Sequence, residues 1–261
     1  MQAEGSNDSS GSDSTNNALG AAEYQHLVSV ELARLADMGP EHLHASLPHI
    51  DGWTVHSVIG HTGWICRYVA LCLDAEPDAP PNRAAVPESP AGSDVRAWFD
   101  EGRSLLTARL DTVDPASMRP TWTGPQPAMW WLRRLANEAS MHRWDAYAAV
   151  GSPDPIDPRL AADGVEEVLD VFAPHRLAFD TLDADGASMH LHATDIDGGE
   201  WTVHFSADGL EWEQAHEKGD VAARGPVSDL LLMLWGRIPP SRLQLFGDAT
   251  LLDRWQAAAK F

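Results

Sequence analysis

The chain has 261 residues, 44% of them apolar, enough to bury the core of one large domain or two small ones. Its 39 acidic residues against 18 basic ones leave a formal charge of −21. That balance excludes nucleic acid and anionic membrane as partners, because both select basic surfaces.

Two cysteines, Cys66 and Cys72, make no disulfide framework; their six-residue spacing on one helix turns them to different sides and suits a reducing compartment. Of the basic residues only Lys218 and Lys260 are lysine, a bias towards arginine of the kind a GC-rich bacterial genome produces. No apolar run reaches the length of a membrane span, and the first residues have neither the basic start nor the apolar middle of a secretory signal. A cytoplasmic protein is expected.

Residues 1–18, rich in Ser, Asn, Gly and Asp, hold too little apolar surface to offset ordering entropy and read as a disordered tail. In "EYQHLVSVELARLADM", Leu27, Val28, Leu32 and Leu35 share a helical face. "GWTVHSVIGHTGWICRYVALCL" is a second helix, with Thr54 as N-cap and Val55, Val58, Ile59 and Ile65 at helical spacing. A proline-rich loop follows, and "DVRAWFDEGRSLLTARLDTV" is a third amphipathic helix. "PAMWWLRRLANEASMHRWDAYAAVG" is the fourth, with Pro127 near its start and Gly151 as its stop. Residues 19–152 therefore read as an all-α four-helix bundle, a fold that builds its sites between facing helices.

After the linker "SPDPIDP" the pattern changes. A helix, "PRLAADGVEEVLDVFAPHRL", precedes "SMHLHATDI" and "EWTVHFSA", which alternate as strands of a hairpin around a Gly-Gly turn. "EWEQAHE" continues the sheet, and "PVSDLLLMLWGR" and "DATLLDRWQAAA" close the chain as helices. Residues 153–261 form a smaller α+β domain.

Glu138 and His142 stand at i and i+4, one above the other on the fourth helix. A metal site needs a further arm from another element. His61, set between Ile59 and Ile65 in an apolar stretch, supplies it if the second and fourth helices face each other. Two imidazoles and a carboxylate suit Zn²⁺ with an open position, and iron or nickel tolerate the same set. The competing reading is a solvated helix pair beside a core histidine. A rival set, His190, His192 and His204, lies on the hairpin. Trp130, Trp131 and Trp144 read as bundle core, and Asp145 either orients His142 or pairs with an arginine.

"WTVHSVIGHTGW", "NEASMHRWDAYAAVG" and "ARGPVSDLLLMLWGR" followed by "FGDATLLDRW" occur in this order, and together they resemble the mycothiol-dependent maleylpyruvate isomerase family over residues 20–258. The resemblance implies a DinB-like four-helix metal domain joined to a sterol-carrier-like α+β domain. It implies zinc on His61, Glu138 and His142, and an arginine needed for activity at Arg237, with Arg242 as the second register. It implies mycothiol as thiol cosubstrate and a small electrophilic substrate, in either cis–trans isomerisation or S-transfer. Cys66 and Cys72 are then core residues, since the thiol comes from the cosubstrate. The family often carries Leu after the first histidine; Thr62 stands there and is expected to alter the pocket lining. The reading from another class is a non-catalytic binding module that keeps the site by descent.

Overall fold

A computed structural model describes residues 18–151 and 153–259, so the segment read as a tail lies outside the described residues apart from its last position. Four long helices come first: α1 (Ala21–Ala36), α2 (Val55–Asp74), α3 (Asp94–Leu110) and α4 (Met129–Ala148), with a two-residue ladder of β1 (Met118–Arg119) and β2 (Gln126–Pro127) before α4. Thr54 caps α2 as expected, its hydroxyl accepting the Ser57 N–H at 3.4 Å. Pro127 pairs in β2 with Met118, two residues ahead of the helix it was expected to start.

α1 packs on α4, α2 packs on α3, and α2 also meets α4. The close approach of α2 to α3 needs glycine at the crossing. A Cβ on Gly102 would lie 2.8 Å from the Gly63 carbonyl oxygen, and one on Gly63 would strike the Trp98 ring. α4 runs through the interior and buries polar side chains as well as apolar ones, among them Arg134, Asn137, His142, Arg143 and Asp145. Each is paired. Arg143, wholly buried, donates through Nε to Glu31 of α1 at 2.6 Å. An interior that keeps charge needs such partners, because an unpaired buried ion costs several kcal/mol.

The second half opens with α5 (Pro158–Glu167), capped by Asp157, whose carboxylate accepts the Arg159 and Leu160 N–H groups at 3.0 and 3.2 Å. The helix expected over this stretch is interrupted. A π turn at Val168–Phe172 leads into α6 (Ala173–Arg176), and α7 (Phe179–Leu182) follows. Five strands, β3 (Ser188–Ala193), β4 (Glu200–Ser206), β5 (Gly209–Glu213), β6 (Val221–Gly225) and β7 (Gln244–Gly247), form a sheet in the order β5-β4-β3-β6-β7. β3 and β6 are parallel and the other pairs antiparallel. The hairpin and its extension by β5 agree with the alternation in the sequence, with Gly198 turning the hairpin at a φ of 70°. α8 (Val227–Leu234) covers β3 and β6 and touches α5, and α9 (Thr250–Ala258) packs on α7 and α8. Among the described residues, no helix is long and apolar enough to cross a membrane.

The two halves meet along α4, α5 and α8. Tyr24 of α1 donates to Asp163 of α5 at 2.8 Å, and Arg133 of α4 donates to the same carboxylate at 2.9 Å. Gly164 admits Leu231 of α8 and Asn137 of α4 to within 2.9 Å of where a Cβ would sit. This joint brings the C-terminal end of α8 over the bundle, and there the functional residues collect.

Candidate metal centre

α2 and α4 bring His61, Glu138 and His142 together. Glu138 Oε1 lies 3.0 Å from His61 Nε2 and 3.2 Å from His142 Nε2, and the two imidazole centroids are 4.9 Å apart. The three ligand atoms fall within 4.8 Å of one another. Glu138 and His142 are fixed from behind. Glu138 Oε2 accepts from Arg134 NH2 at 2.6 Å, one turn earlier on α4, and Arg134 NH1 in turn donates to buried Glu167. That leaves Oε1 to face the histidines. Burial raises the pKa of Glu138, but the charges of His142 and Arg134 outweigh it and hold the carboxyl well below its usual range.

Asp145, wholly buried, is the second support. Its Oδ2 accepts from His142 Nδ1 at 3.0 Å and its Oδ1 from His49 Nε2 at 2.6 Å. An ionised carboxylate only accepts, so both imidazoles donate to it. The donor on His142 is therefore Nδ1, and Nε2 is left to turn its lone pair on the cluster when the ring is neutral. Burial lowers the pKa of His142, while Glu138 and Asp145 push it up, to a net value of about 9. Burial likewise raises Asp145, but its hydrogen bonds to His142 and His49 and the Arg237 charge carry it far below the usual carboxylate range.

Arg237 reaches Asp145 from the other half of the chain, with Nε on Oδ1 at 3.1 Å and NH2 on Oδ2 at 3.2 Å. Its position is set by the end of α8. Gly236, at a φ of 68°, turns the chain, so that its N–H bonds the Met233 carbonyl and the Arg237 N–H bonds the Leu232 carbonyl. This double closure ends a helix and reverses the backbone. Asp145 thus orients His142 and pairs with an arginine at once. Arg242, the second register, lies in a separate short turn and does not line the cavity described next.

The cluster opens on a cavity of about 720 Å³ lined by both halves. Aromatic rings form much of its wall, with Trp53 at 5.4 Å from His61 and 6.1 Å from His142, centroid to centroid. Trp131 lines the cavity while its indole N–H donates to the Pro120 carbonyl, so it serves core and wall together; Trp144 is core and Trp130 half-buried. Arg83 and Arg176, both exposed, also line the space, stacked over Trp64 and Trp122 at 4.8 and 5.7 Å. Among the described residues neither makes an ion pair, which is unusual in a chain of charge −21. Thr62 corrects an expectation: it is buried in the helix packing and does not line the cavity. Cys66 and Cys72 are free and buried, and burial pushes their thiols up to about 12 and about 11.

The rival set is also corrected. The register of β3 on β4 puts Glu200 opposite His192 and Thr202 opposite His190, and sends His204 to the far end opposite Ser188. His190 is buried rather than on an open face. His190 and His192 gather with Glu200 and His216, and His204 sits among exposed Glu213 and Glu217.

His49, Trp53 and Arg134 were not singled out from the sequence. Arg134 carried a signal, since it stands four residues before Glu138 on the same helical face. His49 and Trp53 lie in the irregular segment before α2, where no periodicity marks an inward side chain.

A DinB-like helical bundle joined to a small α+β domain, with a His–Glu–His cluster on a cavity that both halves line, defines the class of protein. Residues 26–147 match the mycothiol maleylpyruvate isomerase N-terminal domain, and residues 159–254 match the MDMPI C-terminal domain. The chain belongs to the mycothiol-dependent maleylpyruvate isomerase family. Among solved structures, it is similar to a histidine-to-alanine mutant of the mycothiol-dependent maleylpyruvate isomerase, with a TM-score of 0.62 and 13% identity over 87% of this chain and 93% of that one. It is also similar to the mycothiol-dependent maleylpyruvate isomerase itself, with a TM-score of 0.58 and 15% identity over 84% and 90% of the two chains. At these identities the likeness is one of fold. No curated protein matches the chain.

Proposed function

We propose that the chain is a zinc-dependent isomerase that uses mycothiol as a thiol cosubstrate and acts on a small enedione acid of the maleylpyruvate kind. The observation that carries this reading is the convergence of His61, Glu138 and His142 on a cavity whose unpaired cations are arginines. Two imidazole nitrogens and one carboxylate oxygen are the donor set of a zinc site with an open position, and the fixed Nδ1 tautomer of His142 suits it. Bound there, zinc supplies the positive charge that keeps a thiol ionised at neutral pH.

The chain's own residues do the rest. Arg134 holds Glu138, and Asp145 holds His142, so neither ligand reorients during turnover. The aromatic wall limits water around the nucleophile. Arg83 and Arg176 receive the carboxylates of the substrate, where an arginine fork matches the group in shape and charge. The thiolate adds to one carbon of the cis double bond, and the electron pair moves onto the conjugated carbonyl as an enolate. The former double bond is now single and rotates. The enolate then expels the thiolate, leaving the trans acid and the free thiol. No atom is gained or lost, and no oxidant is needed.

Arg237 we assign a positioning role. Both arms of its fork are on Asp145, so it acts on His142 through that carboxylate.

The test supplies mycothiol and maleylpyruvate to the zinc-loaded protein and follows both by NMR. The expected result is trans product with the thiol recovered unchanged, and its loss in His61→Ala and Glu138→Gln. A stable thiol adduct would replace isomerisation by S-transfer. Neither product, with unchanged spectra of the cobalt-loaded protein on adding thiol, would overturn catalysis in favour of a binding module.

A further inference from the structure

His190 and His192 occupy alternate positions of β3 and so share one face of the sheet. It is the face opposite the apolar one, which Met189 and Leu191 present to the core. Across the antiparallel ladder, Thr202 faces His190 and Glu200 faces His192. After β5 the chain folds back over this face. The Thr202 hydroxyl donates to the Ala215 carbonyl at 3.0 Å, which sets the next residue, His216, against Glu200. Glu200 Oε2 is thereby in contact with His216 Nδ1, 3.2 Å from His190 Nε2 and 3.5 Å from His192 Nδ1. All four ligand atoms lie within 4.8 Å of one another.

A surface ion pair does not account for His190. The residue is only 5% exposed, and its Nε2, though close to Glu200, has no hydrogen-bond partner among the described residues. Its Nδ1 lies 3.5 Å from Thr202 Oγ1. That hydroxyl has given its proton to Ala215, so towards the ring it accepts, and Nδ1 carries the hydrogen. Nε2 is left with its lone pair turned on the cluster. A buried imidazole with its tautomer set from behind and its other nitrogen turned on a carboxylate shared with two further imidazoles is arranged as a metal ligand is.

We propose that His190, His192, Glu200 and His216 form a second metal site, for a divalent transition ion, that fastens the segment 214–220 to the outer face of the sheet. Three imidazoles and one carboxylate make a full tetrahedral set for Zn²⁺, and a set without an open position is structural rather than catalytic. Ni²⁺ and Cu²⁺ bind the same donors. His216, with its side chain 77% exposed, is the arm through which the ion enters. The segment it closes leads from β5 directly into β6, so the ion joins that segment to β3 and β4 through their side chains. This site shares no residue with the cluster on α2 and α4.

The experiment titrates metal-free full-length protein with zinc chloride by calorimetry, with bound metal counted by mass spectrometry. Hydrogen exchange is read over residues 214–220. Wild type should bind one ion more than the double variant His192→Ala with His216→Ala, whose positions are not in the core. Thr202→Val should weaken that ion about 10- to 100-fold. Zinc should slow exchange at 214–220 in wild type and in His61→Ala, and not in the double variant, which keeps its isomerase activity. If the double variant binds as much zinc as wild type, or zinc leaves exchange at 214–220 unchanged in wild type, the site does not exist. Failure of the α2–α4 cluster reads differently: zinc uptake would be unchanged in His61→Ala and lost in the double variant.

Discussion

Asp145→Asn is the sharpest probe of how the centre is held. In the native chain Asp145 Oδ1 accepts from His49 and Arg237, and Oδ2 accepts from His142 and Arg237. Asparagine keeps the shape but replaces one acceptor by an NH₂ donor. Whichever way the amide is placed, that donor meets an arm of Arg237. Arg237 is 9% exposed at its side chain and is left as a buried cation without a counter-charge. Breaking one partner of such a pair costs about 3–5 kcal/mol. At about 2–4 °C per kcal/mol for a chain of this size, the melting temperature should fall by roughly 6–20 °C. Zinc affinity should drop about 10- to 100-fold, because His142 loses its fixed tautomer. The stability loss has a pH window. The pKa of Asp145 is depressed in the folded state, so its contribution is present above the unfolded value of about 3.9 and is lost as pH falls below it. The gap between variant and wild type should therefore be full at pH 7 and narrow below pH about 4. Thermal unfolding of metal-free protein by circular dichroism at both pH values, with zinc affinity by chelator competition, measures all of this. A double variant that also carries Arg237→Met should recover part of the loss, since no unpaired charge remains. A melting temperature within about 2 °C of wild type, with unchanged zinc affinity, would refute the network as described.

Three further outcomes are expected. Because His142 is pushed up to about 9 in the metal-free protein, the ring carries a proton at pH 7 that zinc must displace. Calorimetry in buffers of different ionisation heat should report about one proton released per zinc at that cluster, falling towards zero above pH 9, in the His192→Ala, His216→Ala background. Gly102→Ala gains about 1 kcal/mol of helix propensity, but its Cβ would meet backbone at 2.8 Å and the Arg67 guanidinium closer still. Overpacking costs about 1–3 kcal/mol, so net destabilisation is expected in urea unfolding, and a stabilised variant would contradict the α2–α3 contact. With thiols at about 12 and about 11, Cys66 and Cys72 should resist an aromatic disulfide reagent at pH 8 until the protein unfolds, and Cys66→Ala should keep turnover.

Local spacing made the ends of the site readable. Glu138 and His142 are joined by one helical turn, and His61 stands out because its neighbours in sequence are apolar. Thr54 and the Gly-Gly turn announce their elements for the same reason, since a cap or a turn depends on a few adjacent residues. What the sequence hid is what depends on tertiary register. β6, "VAARG", has no amphipathic signature and pairs in parallel with a strand about thirty residues earlier. His49 gains its meaning only through Asp145, 96 residues away. The rival histidines were half legible: the strand period put His190 and His192 on one face, while the hairpin register, which no period reveals, exchanged His204 for Glu200 and His216.

The pairing of Asp145 with Arg237 also sets an order of events in time. The two residues are 92 positions apart. At a synthesis rate of about 5–20 residues per second, the helical half leaves the ribosome roughly 5–20 s before its last cation is made. Throughout that interval Asp145 has two imidazoles for company and no guanidinium. The nascent bundle therefore holds that buried carboxylate by imidazoles alone, and its final tightening waits on the arrival of a residue from the other half.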